Sequence, residues 1–155
     1  MGRAKNRNWL RFFRDKSGSP AVEFALIAPV LSTWLLGVVD FSTYEWRLMQ
    51  VGNAARAGAE YAIARGYNPV FVANAITEAT GWESISPNPA PSLACGCPNA
   101  TAGIVSASCG SGCASGGTAG IYVTSSAQAE FSPLFPWPGL KSPVMLSYTA
   151  KVRIN

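Results

Sequence analysis

The stretch AVEFALIAPVLSTWLLGVV, residues 21–39, decides how this chain is organised. Glu23 is its single charge, and Asp40 closes it. From Phe24 to Val39 there are 16 uncharged residues. A helix that crosses a bilayer needs about 20 apolar residues, and residues 20–22 and 41–44 can extend the run to that length. A buried helix of a soluble protein is the competing reading. The flanks favour the membrane: a basic block lies just before the run, and a polar, Gly-rich region lies far beyond it. Pro29 sits inside the run, which a membrane helix tolerates because neighbouring helices can satisfy the freed carbonyl.

Outward from the run, charge is unevenly placed. Residues 1–18 hold Arg3, Lys5, Arg7, Arg11, Arg14 and Lys16 against Asp15 alone, a net of +5. The remaining 137 residues hold six basic against seven acidic side chains, a net of −1. The overall +4 therefore belongs to a short leader and not to a folded basic body, which argues against nucleic acid as a partner. A basic leader before an apolar run reads as a cytoplasmic flank. A removable secretory signal fits less well. The run is long for a signal core, Glu23 stands at its start, and the nearest small-x-small site, at residues 57–59, is too far downstream.

Composition narrows the function. Among 155 residues, 48% are hydrophobic and 13% charged, against about 25% charged in an ordinary soluble domain. There is no His. That removes Ser-His-Asp and Cys-His catalysis, HExxH zinc proteases and Cys2His2 fingers. No acid pair or nucleophile–base set in the body suggests chemistry, so the chain reads as a non-enzyme with no cofactor and no metal.

Glu23 has two readings. An ionisable group in a membrane segment is costly and marks a functional position by default. An acid in the first turn of a helix is also favoured by the helix dipole. The surrounding residues add a pattern: a basic leader, then Gly18-Ser19-Pro20-Ala21-Val22-Glu23-Phe24, then the apolar run. This element resembles a prepilin-peptidase site, in which the cut follows the Gly and the Glu becomes the fifth residue of the mature chain.

The longer string SGSPAVEFALIAPVLSTWLLGVVDFSTYEWRLMQVGNAARAGAEYAIARG, residues 17–66, is similar to the TadE-like pseudopilins of the tight-adherence (Tad, or Flp) pilus system. The AVEFAL start, Pro29, the GVVDF patch and the NAARAGAEYA helix carry the likeness. A CxC, a later Cys pair and the YVT…FSPLFPWPGL…KVRI ending resemble the same family. The resemblance implies an inner-membrane, single-pass protein with its N-terminus in the cytoplasm and its C-terminal part periplasmic or extracellular. It implies a processing site at Gly18 and Ser19, with Glu23 and Phe24 as recognition residues. The implied partners are a prepilin peptidase, other Tad pilus subunits, inner-membrane platform proteins and the lipid bilayer. Pro20 departs from the usual second mature residue, and its fixed φ is expected to slow cleavage. The alternative is an uncleaved, membrane-anchored binding module of the envelope.

The fold expected is α+β, in three parts: a basic cytoplasmic leader over 1–18, a transmembrane and extended helix over 19–66, and an extracytoplasmic domain over 67–155. The first helix continues to Ala64. Small residues recur by fours at Ala54, Gly58 and Ala62, and at Ala55 and Ala59, so the helix is either a close-packing face or simply Ala-rich. Gly66 and Asn68-Pro69 stop it. A second helix runs from Pro69 to Thr80, with Asn68 as N-cap and Pro69 at N1. Val72, Ala75, Ile76 and Ala79 share one of its faces.

Residues 84–119, rich in Pro, Ser and Gly, read as one long loop holding Cys95, Cys97, Cys109 and Cys113. An even count in an exported region implies two disulfides. Cys95–Cys97 would close too tight a ring, so Cys95 and Cys97 join Cys109 and Cys113, in either order. A four-thiolate zinc site is the rival, but only Cys109-x3-Cys113 has suitable spacing. The Gly-rich stretch from Cys109 lacks the Gly-Lys-Ser/Thr of a phosphate cradle, and the Cys set lacks the Cys-x2-Cys of a redox catalyst. Two alternating strands follow over 121–131 and 144–154, with Lys151, Arg153 and Asn155 on one face. Between them, Phe135, Trp137 and Leu140 are expected to pack under the sheet as a plug. The alternative is an exposed patch that touches a partner or the bilayer.

Overall fold

The computed structural model describes residues 19–154. The basic leader with Gly18, and Asn155, lie outside the described residues. The chain divides into two compact units between Asp40 and Phe41. Helix α1, Ser19–Arg65, contributes to both.

In the unit ending at Asp40, α1 is apolar all round, the pattern of a helix whose surroundings are not water. An 18-residue window reaches a mean hydropathy of 1.9 with none of it buried in the protein. Leu26 is 72% and Trp34 75% exposed. It is the one helix among the described residues long and apolar enough to cross a membrane. Two hydroxyls within it bond back to the helix: Ser32 Oγ donates to the Ala28 carbonyl and Thr33 Oγ1 to that of Pro29, each at 2.8 Å. Back-bonding of this kind lets a hydroxyl sit on an apolar surface without an unpaired donor.

In the unit from Phe41, α1 runs to Arg65. Gly66, at φ 84°, then ends it in the left-handed region, its N–H donating to the Ala62 carbonyl at 3.1 Å, a turn that glycine makes at no steric cost. Helix α2, Pro69–Glu78, starts as its sequence demands. Asn68 is extended, and its Oδ1 accepts from Val70 N at 3.0 Å and Phe71 N at 3.3 Å. The helix stops short of Thr80, with Ala79 as C-cap. Thr80 serves the following turn instead, its hydroxyl accepting from Trp82 N at 3.4 Å. Val72 and Ile76 are buried, whereas Ala75 is half-buried and Ala79 exposed.

Four antiparallel strands make one sheet: β1 (Ser92–Asn99), β2 (Gly103–Ser106), β3 (Gly120–Phe131) and β4 (Val144–Ile154), in the order β2-β1-β3-β4. β3 and β4 pair over their whole length, from Ile121 opposite Ile154 to Phe131 opposite Val144. Val123, Ser125, Ala127, Ala129 and Phe131 alternate along β3 and are buried. They meet Val51, Ala54, Ala55 and Ala62 of α1, Val72 and Ile76 of α2, Ile85, and Leu146 of β4 in a single core. On the other face Ser126 and Thr149 share a hydroxyl hydrogen bond of 2.9 Å. Ahead of β1, Ser86 and Gln128 exchange backbone hydrogen bonds of 2.8 and 2.9 Å, which lengthens the sheet on the β1 side.

Two expectations change. Residues 84–119 are not one loop, because 92–106 form the β1–β2 hairpin. Residues 132–143 are not a plug: Leu134, Phe135 and Leu140 are exposed and Trp137 is half-buried.

Candidate functional site

The start of α1 carries the residues singled out for processing. Among the described residues α1 is helical from Ser19 onward, and Glu23 and Phe24 on it are both exposed. Gly18 lies outside the described residues. No charged side chain other than Glu23 occurs between Ser19 and Asp40. Its carboxylate is therefore the one fixed charge on this apolar surface, and charge in an apolar medium is strongly favoured to find a counter-ion.

The small-residue face of α1 lies within the unit from Phe41. Ala54, Ala55, Gly58, Ala59 and Ala62 are all buried. Their partner is the protein's own sheet and second helix. A side chain at Gly58 would collide with Ser125 of β3 and Ile76 of α2. The spacing by four thus serves a close packing face, met by the sheet at Ser125 and by the second helix at Ile76. Arg56, on the outward side, lies 5.6 Å from the Tyr148 ring centroid and donates to its hydroxyl at 3.3 Å.

The cysteines form two bridges, Cys95–Cys109 and Cys97–Cys113, with sequence separations of 14 and 16. Both tie β1 to the segment after β2. Cys95 and Cys97 point to one face of β1, and Gly96 between them faces the other way. A Cβ on Gly96 would stand 2.8 Å from the Val105 carbonyl oxygen of β2, a close approach that only glycine permits. The segment 107–119 is fastened further by Ala107 N to Cys95 O at 3.1 Å and by Cys113 N to Gly117 O at 2.9 Å. A disulfide sulfur is not a thiolate, so this set offers no ligands to the zinc alternative.

Sequence reasoning missed one feature. A cavity of about 340 Å³ is lined by Thr43 and Arg47 of α1, Trp82, Glu130, Phe131, Ser132 and Leu134. The Arg47 guanidinium lies 4.4 Å from the Trp82 ring centroid and donates to Gln50 Oε1 at 2.9 Å. Tyr44 packs edge-on against Phe131, with centroids 5.7 Å apart. The sequence signal was an Arg and a Trp 35 positions apart, which no local pattern links.

Comparison with known families bears on the first of these features. Residues 18–60 match the model of the family described as TadE-like protein. This segment is similar to that family. The match opens at Gly18, takes in Glu23 and Pro29, and ends at Glu60 on the packed part of α1. The matched segment includes the stretch of α1 that is long and apolar enough to cross a membrane. No curated protein and no solved structure matches the chain.

Proposed function

We propose that this TadE-like chain is a pseudopilin or minor pilin that supports assembly of a Tad (Flp) adhesive pilus, and that a prepilin peptidase matures it between Gly18 and Ser19. The observation that carries this reading is the coincidence of three boundaries. One is met in charge and composition, where the basic leader gives way at Lys16 to an uncharged stretch; a second is the start of the family match at Gly18; the third is the onset of the apolar run at Ala21. Cleavage there would leave a mature chain that starts with its apolar helix and is close to neutral.

Cleavage would also free the α-amine of Ser19, four residues from Glu23. A carboxylate in a low-dielectric setting needs a partner, and the amine of a neighbouring subunit supplies one. That pair would fix the register between subunits. In this reading the inner membrane holds the helix with its N-terminus in the cytoplasm, and the disulfide-bonded unit lies outside, where thiols oxidise. Partners are the peptidase, other pilus subunits and platform proteins of the membrane.

Pro20 favours a second reading, an uncleaved anchored binding module of the same machinery. Sequencing the N-terminus of the protein recovered from membranes of its native host separates the two. A start at Ser19 supports the pseudopilin, and an intact Met1 refutes its maturation.

A further inference from the structure

We propose that the β3–β4 loop, residues 132–143, is a second membrane contact that rests in the headgroup layer of the bilayer entered by α1. This rests on the reading that residues 21–39 span that bilayer. The loop carries Leu134, Phe135 and Leu140 at 73%, 37% and 52% exposure, with Trp137 half-buried and Lys141 exposed. Phe135 and Trp137 stack edge-to-face at 5.0 Å. Aromatic rings with aliphatic neighbours and a Lys that can reach phosphate are the residues that partition into a membrane interface.

Its position selects the lipid as occupant. Leu134 and Ser132 line the same cavity as Thr43, and Phe131, where the loop begins, packs on Tyr44. Thr43 is three residues after Asp40, the end of the apolar run. Three residues of chain reach at most about 11 Å in any conformation, and the headgroup layer on each side is about 5–7 Å deep. The start of the loop is therefore held close to the lipid surface by the covalent chain. Prolines at 133, 136, 138 and 143 limit the freedom the loop would lose on docking.

The test uses the full chain in phosphatidylcholine–phosphatidylglycerol vesicles. One variant keeps Trp137 and carries Trp9→Phe, Trp34→Phe, Trp46→Phe and Trp82→Phe. A second keeps Trp34 and carries Trp9→Phe, Trp46→Phe, Trp82→Phe and Trp137→Phe. Lipids brominated near the ester end or near the chain terminus quench by depth. Trp137 emission should fall about two-fold or more with the shallow bromines and less with the deep ones, and Trp34 should respond to the deep ones. Quenching of Trp34 without Trp137 overturns the loop contact. No quenching of Trp34 overturns the span itself, a separate failure. Quenching of Trp137 that vanishes on dilution into excess lipid points to a second copy and also overturns the proposal. Should these variants misfold, Trp137→Phe alone must lower the shallow-quenched fraction of the wild-type emission; an unchanged fraction overturns the contact.

Discussion

Gly58 of α1 and Ser125 of β3 face each other with no room between them: a Cβ on the glycine would overlap the serine hydroxyl. Gly58 is buried, Ser125 is fully buried, and the Ser125 hydroxyl has no hydrogen-bond partner. This pair marks the point where helix and sheet come closest, and it makes the packing testable.

Gly58→Ala should lower stability by about 1–3 kcal/mol through overpacking, although alanine in a helix interior gains up to about 1 kcal/mol over glycine. The sign is the test. Chemical unfolding in detergent, followed by far-UV circular dichroism, should show a lower midpoint. An unchanged or higher midpoint would mean that the close contact does not exist.

Ser125→Ala should raise stability by about 1 kcal/mol, because it removes a buried hydroxyl that makes no hydrogen bond. In that background Gly58→Ala should cost less than it does alone, with a coupling above about 0.5 kcal/mol. Strict additivity of the two changes would show that the residues are not in contact.

The helices were legible because their signals are local. An uninterrupted apolar run, Gly66 after Arg65 and the Asn68-Pro69 cap each act within a few residues. β3 and β4 were legible because they alternate. β1 was not, because Ser92–Asn99 contains Pro98, two Cys and a central Gly96, none of them a strand former. What holds β1 is distant in sequence: Thr124 to Gly120 on β3, Gly103 to Ser106 on β2, and two sulfur bridges. The small-residue face was visible as a packing face, but the identity of its partner depends on where β3 lands. The residues proposed for processing were legible as a motif alone. The exposure of Phe135 and Leu140 was not, since an apolar loop reads the same whether buried or bare.

Replacing Cys97 and Cys113 together by Ser should cost about 3 kcal/mol on the chain-entropy model. The loss should be local. Hydrogen exchange should speed up in residues 92–119 before it does in β3 and β4, which are paired along their whole length. Intact mass before and after reduction should differ by about four hydrogens in the unsubstituted chain and by about two in this variant, one pair per bridge. Uniform acceleration across the sheet would show that the bridge supports the whole unit.

Glu23→Ala should leave cleavage largely intact yet impair pilus assembly, and Gly18→Leu should block cleavage, seen as an unshifted band on a gel. Filaments of normal number from Glu23→Ala would remove the register role assigned to the carboxylate.

Asn68→Ala should cost about 1 kcal/mol, the usual loss when a capping side chain is removed from the first turn of a helix. Asn68→Asp should restore most of it, since a carboxylate oxygen can accept from the same two backbone N–H groups. Equal loss in both variants would place the role of Asn68 outside the cap.

Because α1 supplies Val51, Ala54, Ala55 and Ala62 to the core, the body has no severable stalk. A cut after Arg65 would strip the inner face of β3 and spill the core into water. A cut that spares the core must fall before Tyr44, inside a continuous helix whose backbone is already hydrogen-bonded and fits poorly into a protease cleft. On the proposed reading that residues 21–39 span a bilayer, release of an intact core would require cutting this helix, and a copy that left the membrane whole would carry its apolar end with it.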